Sequence, residues 1–167
     1  MAALVVVTYL LTFNCYGTHL PGDVRGSVDR LRGGQRGGYL TPATALVDDC
    51  RRRMRDASFE LSWDEASIVL TTLREVCAFR QWNLLAAHVR TTHVHVVVGQ
   101  IPDANRAIAD FKAYASRALN RRNGLARRWA REGSTRPLRT GEAIQAAIRY
   151  VVESQGEPMA VFVSGSL

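Results

Sequence analysis

The sequence predicts an α+β domain: an antiparallel sheet with packed helices around a ferredoxin-like split βαβ core with additions. Three observations predict it. A nearly continuous apolar run near the N-terminus, Val5 to Phe13, is rich in Val, Leu, Thr, Tyr and Phe. Two further β-rich runs, Trp82 to Val89 and Thr92 to Val98, follow one another closely. Segments of helical periodicity stand on both sides of that pair. The 167 residues, 47% of them apolar, suit a single domain with a sizeable core.

Taken in order, Val5 to Phe13 reads as a central strand with both faces covered, because its apolarity does not alternate. Asn14 to Gly38 turns polar and Gly/Arg-rich, and residues 17–38 read as a long loop or lid. Thr41-Pro42 opens a short helix through about Met54, with Pro at its first position. Phe59 to Leu61 reads as a short strand. Ser62 and Glu65 have capping-box spacing and start a helix to about Phe79, with Ile68, Leu70, Thr71, Leu73, Val76 and Cys77 as a broad apolar face. The two β-rich runs come next. Pro102-Asp103 leads into a helix in which Ala104, Ala107, Ile108, Phe111, Ala115, Ala118 and Leu119 recur at helical spacing. Arg121 to Arg136 is basic and partly irregular. Glu142 to Ser154 is a helix with the stripe Ile144, Ala147, Ile148, Val151 and Val152, capped by Gly156. Met159 to Val163 closes the chain as a short strand.

Composition narrows the function classes. Lys plus Arg number 22 and Asp plus Glu 15, a formal charge of +7. Lys112 is the only lysine. Arginine's planar fork of donors suits phosphate, so a polyanionic partner fits, although a GC-rich coding bias produces the same count. The three cysteines are odd in number and form no CxxC, which argues against a disulfide framework and for a reducing cytoplasm. The apolar N-terminus has no basic flank and is too short to cross a bilayer, so neither a membrane partner nor an export signal is expected.

The stretch TTHVHVVVG, residues 91–99, carries two histidines one residue apart. Strand alternation puts His93 and His95 on one face and Val94, Val96 and Val98 on the other. The imidazoles are then about 7 Å apart at their α-carbons, and inward rotation allows both to reach one divalent ion. Two structural histidines give the same pattern, and a metal needs a third ligand. His88, near the end of the preceding run, reads as a group supporting that site or as a solvated side chain.

These residues, with two other stretches, resemble the IS200-like transposase family, which includes REP-associated tyrosine transposases. His93-Val94-His95 looks like its HUH motif (His, bulky apolar, His) in its usual strand. YLLTFNCYGTHLPGDVRGSVDR is similar to the opening of a bacterial subgroup, and EAIQAAIRYVVESQGEPMAVF resembles the helix bearing the nucleophilic tyrosine. The likeness runs from about residue 8 to about residue 163. It implies an HUH-type fold and a single-stranded DNA transposase, acting on hairpin-containing DNA, as a monomer or a homodimer. It implies that His93 and His95 bind Mg²⁺ or Mn²⁺, although imidazole by itself favours softer metals. It implies that Tyr150 attacks the scissile phosphorus and becomes joined to a 5′ phosphate, leaving a free 3′-OH. A phenol is a weak nucleophile until it is activated, and a divalent ion offsets charge at the phosphate.

The family's third ligand is a glutamine one turn after the tyrosine. Here Ser154 stands at that position and Gln155 follows it. On an ideal helix Gln155 is about 140° round from Tyr150, so an opened last turn is needed to swing it in. Glu153 is the other candidate ligand. Tyr114 is the rival nucleophile, with the look of a packing residue. Lys112, Arg117, Arg121 and Arg122 lie on or at the end of one helix, suited to DNA phosphates or to ordinary surface charge. Arg127, Arg128 and Arg131 flank Trp129, a pattern that suits a single strand by base stacking plus phosphate contact, or a solvated loop with one anchoring tryptophan. Two functional readings stand: a DNA-nicking and joining enzyme, and a protein of the same fold that binds a DNA hairpin without cutting. A metal-dependent hydrolase of small substrates fits less well, since no carboxylate cluster accompanies the histidines.

Overall fold

The computed structural model describes residues 7–29 and 38–165. The fold is α+β. Its elements in chain order are β1 (Thr8–Cys15), β2 (Ser27–Asp29), β3 (Gly38–Leu40), α1 (Thr44–Arg53), α2 (Trp63–Arg80), β4 (Asn83–Val89), β5 (His93–Gly99), α3 (Ala104–Asn123), β6 (Trp129–Leu138), α4 (Gly141–Glu153) and β7 (Ala160–Val163). Five strands form one sheet in the order β6-β1-β5-β4-β7, and each neighbouring pair is antiparallel. β1, β5 and β4 are therefore interior strands, β1 as expected of its apolar run.

Both faces of the sheet are covered, by different helices. Leu11, Phe13, Val94, Val96 and Val98 point into the larger core with Val69, Leu73 and Val76 of α2 and Phe111, Ala115 and Leu119 of α3. Leu10, Ala86 and Val97 point the other way, against Ala147, Ile148 and Val151 of α4. The helices start where their side chains can satisfy the free N–H groups of a first turn. Ser62 and Glu65 form the reciprocal capping box of α2. Asp103 accepts from the Arg106 N–H at α3, and Thr140 from the Ala143 N–H at α4. No helix among the described residues is long and apolar enough to cross a membrane.

Several local expectations are corrected. The first helix begins at Thr44 with Ala43 as its N-cap, so Pro42 lies before it and not at its first position. Phe59 to Leu61 is extended without forming a ladder: the Phe59 N–H donates to the Tyr16 carbonyl and the Leu61 N–H to that of Thr91, two unrelated partners. The Gly/Arg-rich loop is not wholly irregular, because Ser27–Asp29 pairs with Gly38–Leu40; residues 30–37 lie outside the described residues. The basic segment contains strand β6. Its Gly133 is closely packed: a Cβ there would stand 2.9 Å from the end of the Ile108 side chain and 3.1 Å from the Thr12 carbonyl oxygen. Pro137 is tolerated because β6 is an edge strand. Finally, α4 is capped by Ser154, whose N–H donates to the Tyr150 carbonyl, and Gly156 lies two residues beyond at φ +74.

Candidate functional site

The sheet face under α4 changes character along its strands. Where α4 covers it, the residues are Leu10, Ala86 and Val97. Beyond the end of that cover the register brings Thr12, His95 and His88 into one row across β1, β5 and β4. The next row holds Asn14 and His93. Arg90 is tied into the tight turn that follows, its N–H donating to the His93 carbonyl at 2.9 Å. Polar side chains on three neighbouring strands thus gather on one face of the sheet, with His88 and His95 buried and the C-terminal end of α4 standing over them.

His93 and His95 face each other edge-on, with ring centroids 4.8 Å apart. Each Nδ1 is engaged by a neighbouring hydroxyl: Thr92 Oγ1 at 3.0 Å from His93 and Thr12 Oγ1 at 2.8 Å from His95. Such partners fix ring orientation and leave the Nε2 atoms for other work. His95 is only 6% exposed. Burial, followed by the charge of His93, pushes its pKa down to about 4. Burial also lowers that of His93. Both imidazoles are accordingly neutral near pH 7, the form in which histidine serves as a ligand.

Gln155 comes to this pair. Because α4 stops at Glu153, Gln155 lies past the helix and is free of the 140° offset. Its Oε1 accepts from His93 Nε2–H at 3.5 Å, and its Nε2 donates to the Tyr150 carbonyl at 3.2 Å. Glu153 remains an exposed helix residue. Tyr150 presents its ring edge-on to His95 at 5.5 Å between centroids and is 44% exposed. Tyr114 packs against the larger core, across the sheet from the histidines, with Arg117 stacked on its ring at 5.2 Å. Among the described residues no group of three His, Cys, Asp or Glu side chains converges; the histidine pair is joined instead by an amide.

Two residues of the patch carried little sequence signal. His88 is fully buried rather than solvated. The Met159 N–H donates to its Nε2 at 3.2 Å, so Nδ1 bears the proton and donates to the Val151 carbonyl at 3.0 Å. One neutral imidazole thereby ties both α4 and the segment entering β7 to the sheet. Arg90 packs its guanidinium on Gly156, and its charge bears on all three imidazoles.

The basic residues divide into two sets. Lys112 donates to the carbonyls of Ala130, Arg131 and Glu132 at 2.8, 3.1 and 3.1 Å, pinning the start of β6. Arg128 is 3% exposed, bonded to Asn120 and Gly124 and stacked over Phe59. Trp129 packs edge-on to Phe13 and donates its indole N–H to the Lys112 carbonyl and Ser116. These side chains are engaged by the protein itself. Arg117, Arg121, Arg122, Arg127 and Arg131 are exposed. Arg122 pairs with Asp64 and Arg127 with Asp56, both in surface ion pairs that solvent screens.

Comparison with known proteins gives distant likenesses of fold. One is to the structure of a REP-associated tyrosine transposase bound to a REP hairpin, with a TM-score of 0.51 and 11% identity. That match covers 89% of this chain and 66% of the other, so this chain spans just under two thirds of its relative. Another is to a candidate transposase from Deinococcus radiodurans R1, with a TM-score of 0.45, 15% identity and coverage of 93% and 95%. No family model and no curated protein matches the sequence.

Proposed function

We propose that this protein is an HUH-type single-stranded DNA transposase, an endonuclease that cleaves and rejoins DNA through a covalent 5′-phosphotyrosine on Tyr150. The observation that carries the reading is the meeting of Tyr150 and Gln155 with His93 and His95 at one polar end of the sheet. The strand order β6-β1-β5-β4, with α2 and α3 as the intervening helices, supports a ferredoxin-like split βαβ core, and the distant likeness to a hairpin-bound transposase agrees with it. On this reading residues 1–167 form one transposase domain, with 17–38 as a loop inserted in it.

The donor set fits a divalent cation. His93 Nε2 and Gln155 Oε1 are 3.5 Å apart, within reach of one ion with bonds of about 2 Å. His93 would first pass its Nε2 proton to Nδ1, where the Thr92 hydroxyl oxygen accepts it. His93, His95 and Gln155 would hold Mg²⁺ or Mn²⁺, which when bound offsets charge on the scissile phosphate. Tyr150 supplies the nucleophilic oxygen and gives up its phenolic proton to solvent: the new O–P bond forms as the bond to the 3′ oxygen breaks, and that oxygen takes a proton from solvent and leaves as a 3′-OH. Rejoining reverses the step and needs no ATP, because the phosphotyrosine conserves the bond. Neutral His88 holds α4 at the height that keeps Tyr150 beside His95. The exposed Arg117, Arg121, Arg122, Arg127 and Arg131 are the proposed contacts for the DNA backbone, with Lys112, Arg128 and Trp129 framing them.

A labelled single-stranded DNA hairpin incubated with the protein and Mn²⁺ is expected to give a denaturation-resistant protein–DNA adduct. Tyr150→Phe should abolish it and Tyr114→Phe should not. Binding of a verified cognate hairpin without any adduct, under every divalent metal tried, would replace the enzyme by a hairpin-binding protein.

A further inference from the structure

Among the described residues Arg90 is a cation without a counterion. Among the described residues its guanidinium makes no ion pair and no hydrogen bond, and its Nη1 is a buried donor with no acceptor. Arg128, which is buried, does find acceptors, in the Asn120 side-chain oxygen and the Gly124 carbonyl. An unmet guanidinium donor in a patch of neutral side chains is therefore a feature to be explained.

Its placement is specific. Arg90 pairs with His93 across the β4–β5 turn, which puts it in the same terminal row as His93 and Asn14. The guanidinium lies flat against Gly156: a Cβ added there would stand 3.3 Å from Nη1 and 3.6 Å from Nη2. Gly156 also sits at φ +74, which side chains disfavour, so this residue serves both the turn and the cation. Gln155, immediately before it, is the residue bonded to His93. The cation therefore stands one residue from the proposed ligand set, at the open edge of the site.

We propose that Arg90 is a phosphate-binding residue of this site, receiving a DNA phosphate next to the one that Tyr150 attacks. The proposal rests on the transposase reading for its substrate and on Arg90 alone for its anion site. A phosphate oxygen supplies the acceptor that Nη1 lacks, and a fork of guanidinium donors matches two phosphate oxygens. On this proposal the exposed turn of Ser154, Gly156 and Glu157 moves aside on phosphate binding to open the buried Nη1. That turn also carries Gln155, so phosphate at Arg90 and the seating of Gln155 are coupled.

Two measurements test this separately. In the first, inorganic phosphate is titrated into the metal-free protein while the Arg90 Nε–H resonance is followed, assigned by its loss in Arg90→Lys. A saturable shift is expected; no shift overturns the anion site. In the second, adduct formation and affinity for a labelled single-stranded hairpin are measured against salt for wild type, Arg90→Gln and Arg90→Lys. Arg106→Gln, which removes a surface charge paired with Asp110 on α3, serves as the control. Arg90→Gln should weaken binding about tenfold and lower the salt slope by about 0.7, with Arg90→Lys recovering the slope but not the full affinity. A wild-type adduct with Arg90→Gln unchanged in both respects overturns the proposal and leaves the transposase reading standing. A phosphate shift at Arg90 without any wild-type adduct does the reverse. Circular dichroism of each variant excludes unfolding as the cause.

Discussion

Two helices cover one face of the sheet and one covers the other. On the first face, Leu11, Phe13, Val94, Val96 and Val98 meet α2 and α3 with no exposed surface. On the second, α4 seals Leu10, Ala86 and Val97, and then ends while the strands continue. The residues past that end are Thr12, Asn14, His93 and His95, and Tyr150 with Gln155 hangs over them from the helix end. The same strands thus contribute a dry core on one side and a polar, half-open patch on the other. Alternation within β5 makes this possible: each valine that stabilises the first face leaves its neighbour for the second.

The largest effect that separates the faces is on stability. Phe111→Ala, which empties the dry side, is expected to cost about 3–5 kcal/mol in urea unfolding. His95→Ala should cost about 1 kcal/mol, the worth of its bond to Thr12, while removing metal-stimulated adduct formation altogether. Equal losses of stability from the two substitutions would break the comparison, because both faces would then be structural.

A smaller effect separates two kinds of basic residue. Lys112→Met leaves three carbonyls at the start of β6 without their donor and should cost about 1–3 kcal/mol. It should leave the salt dependence of single-strand binding unchanged, whereas Arg127→Gln should lower that slope with little loss of stability. A fall in the slope for Lys112→Met would return this lysine to the DNA surface.

The same contrast explains what could be read from the sequence. Elements whose stability is local or strongly patterned were legible: the capping box of Ser62 and Glu65, the valine alternation of β5, and the apolar stripes of α3 and α4. Strand β6 was not, since Gly133, Ser134 and Pro137 have poor strand propensity and only pairing with β1 makes them extended. The histidine pair was legible because a period of two needs no tertiary knowledge. The reach of Gln155 depended on where α4 stops, a choice made at Ser154 and not by helical arithmetic. The sequence does not display the carbonyls and rings that engage Lys112, Arg128 and Trp129, so these contacts within the protein could not be read beside their proposed place at the DNA. Arg90 and His88 had no motif at all, and their surroundings come from strand register.

Acid should expose the difference between the faces in its mildest form. The dry face has no ionisable side chain facing it from β5, whereas the other holds His88 and His95 buried and His93 half-buried, all with pKa values lowered from their ordinary 6.5 chiefly by loss of water around them. In the unfolded chain these imidazoles take up protons as pH drops through about 6.5; in the folded chain they resist until lower pH, about 4 for His95. Between those values the unfolded state binds more protons, so stability rises with pH and falls on acidification. The Asp23 carboxyl, held low by its bonds to Arg25, contributes in the same direction only below its ordinary 3.8, outside that window. The urea midpoint of the metal-free protein, measured with chelator present, should therefore decline steadily from about pH 6.5 downward, and His95→Ala should flatten part of that decline. A midpoint unchanged down to about pH 5 would mean that the imidazoles are as wet in the folded protein as in the unfolded one, and the polar patch would then be an open surface instead of a sheltered site.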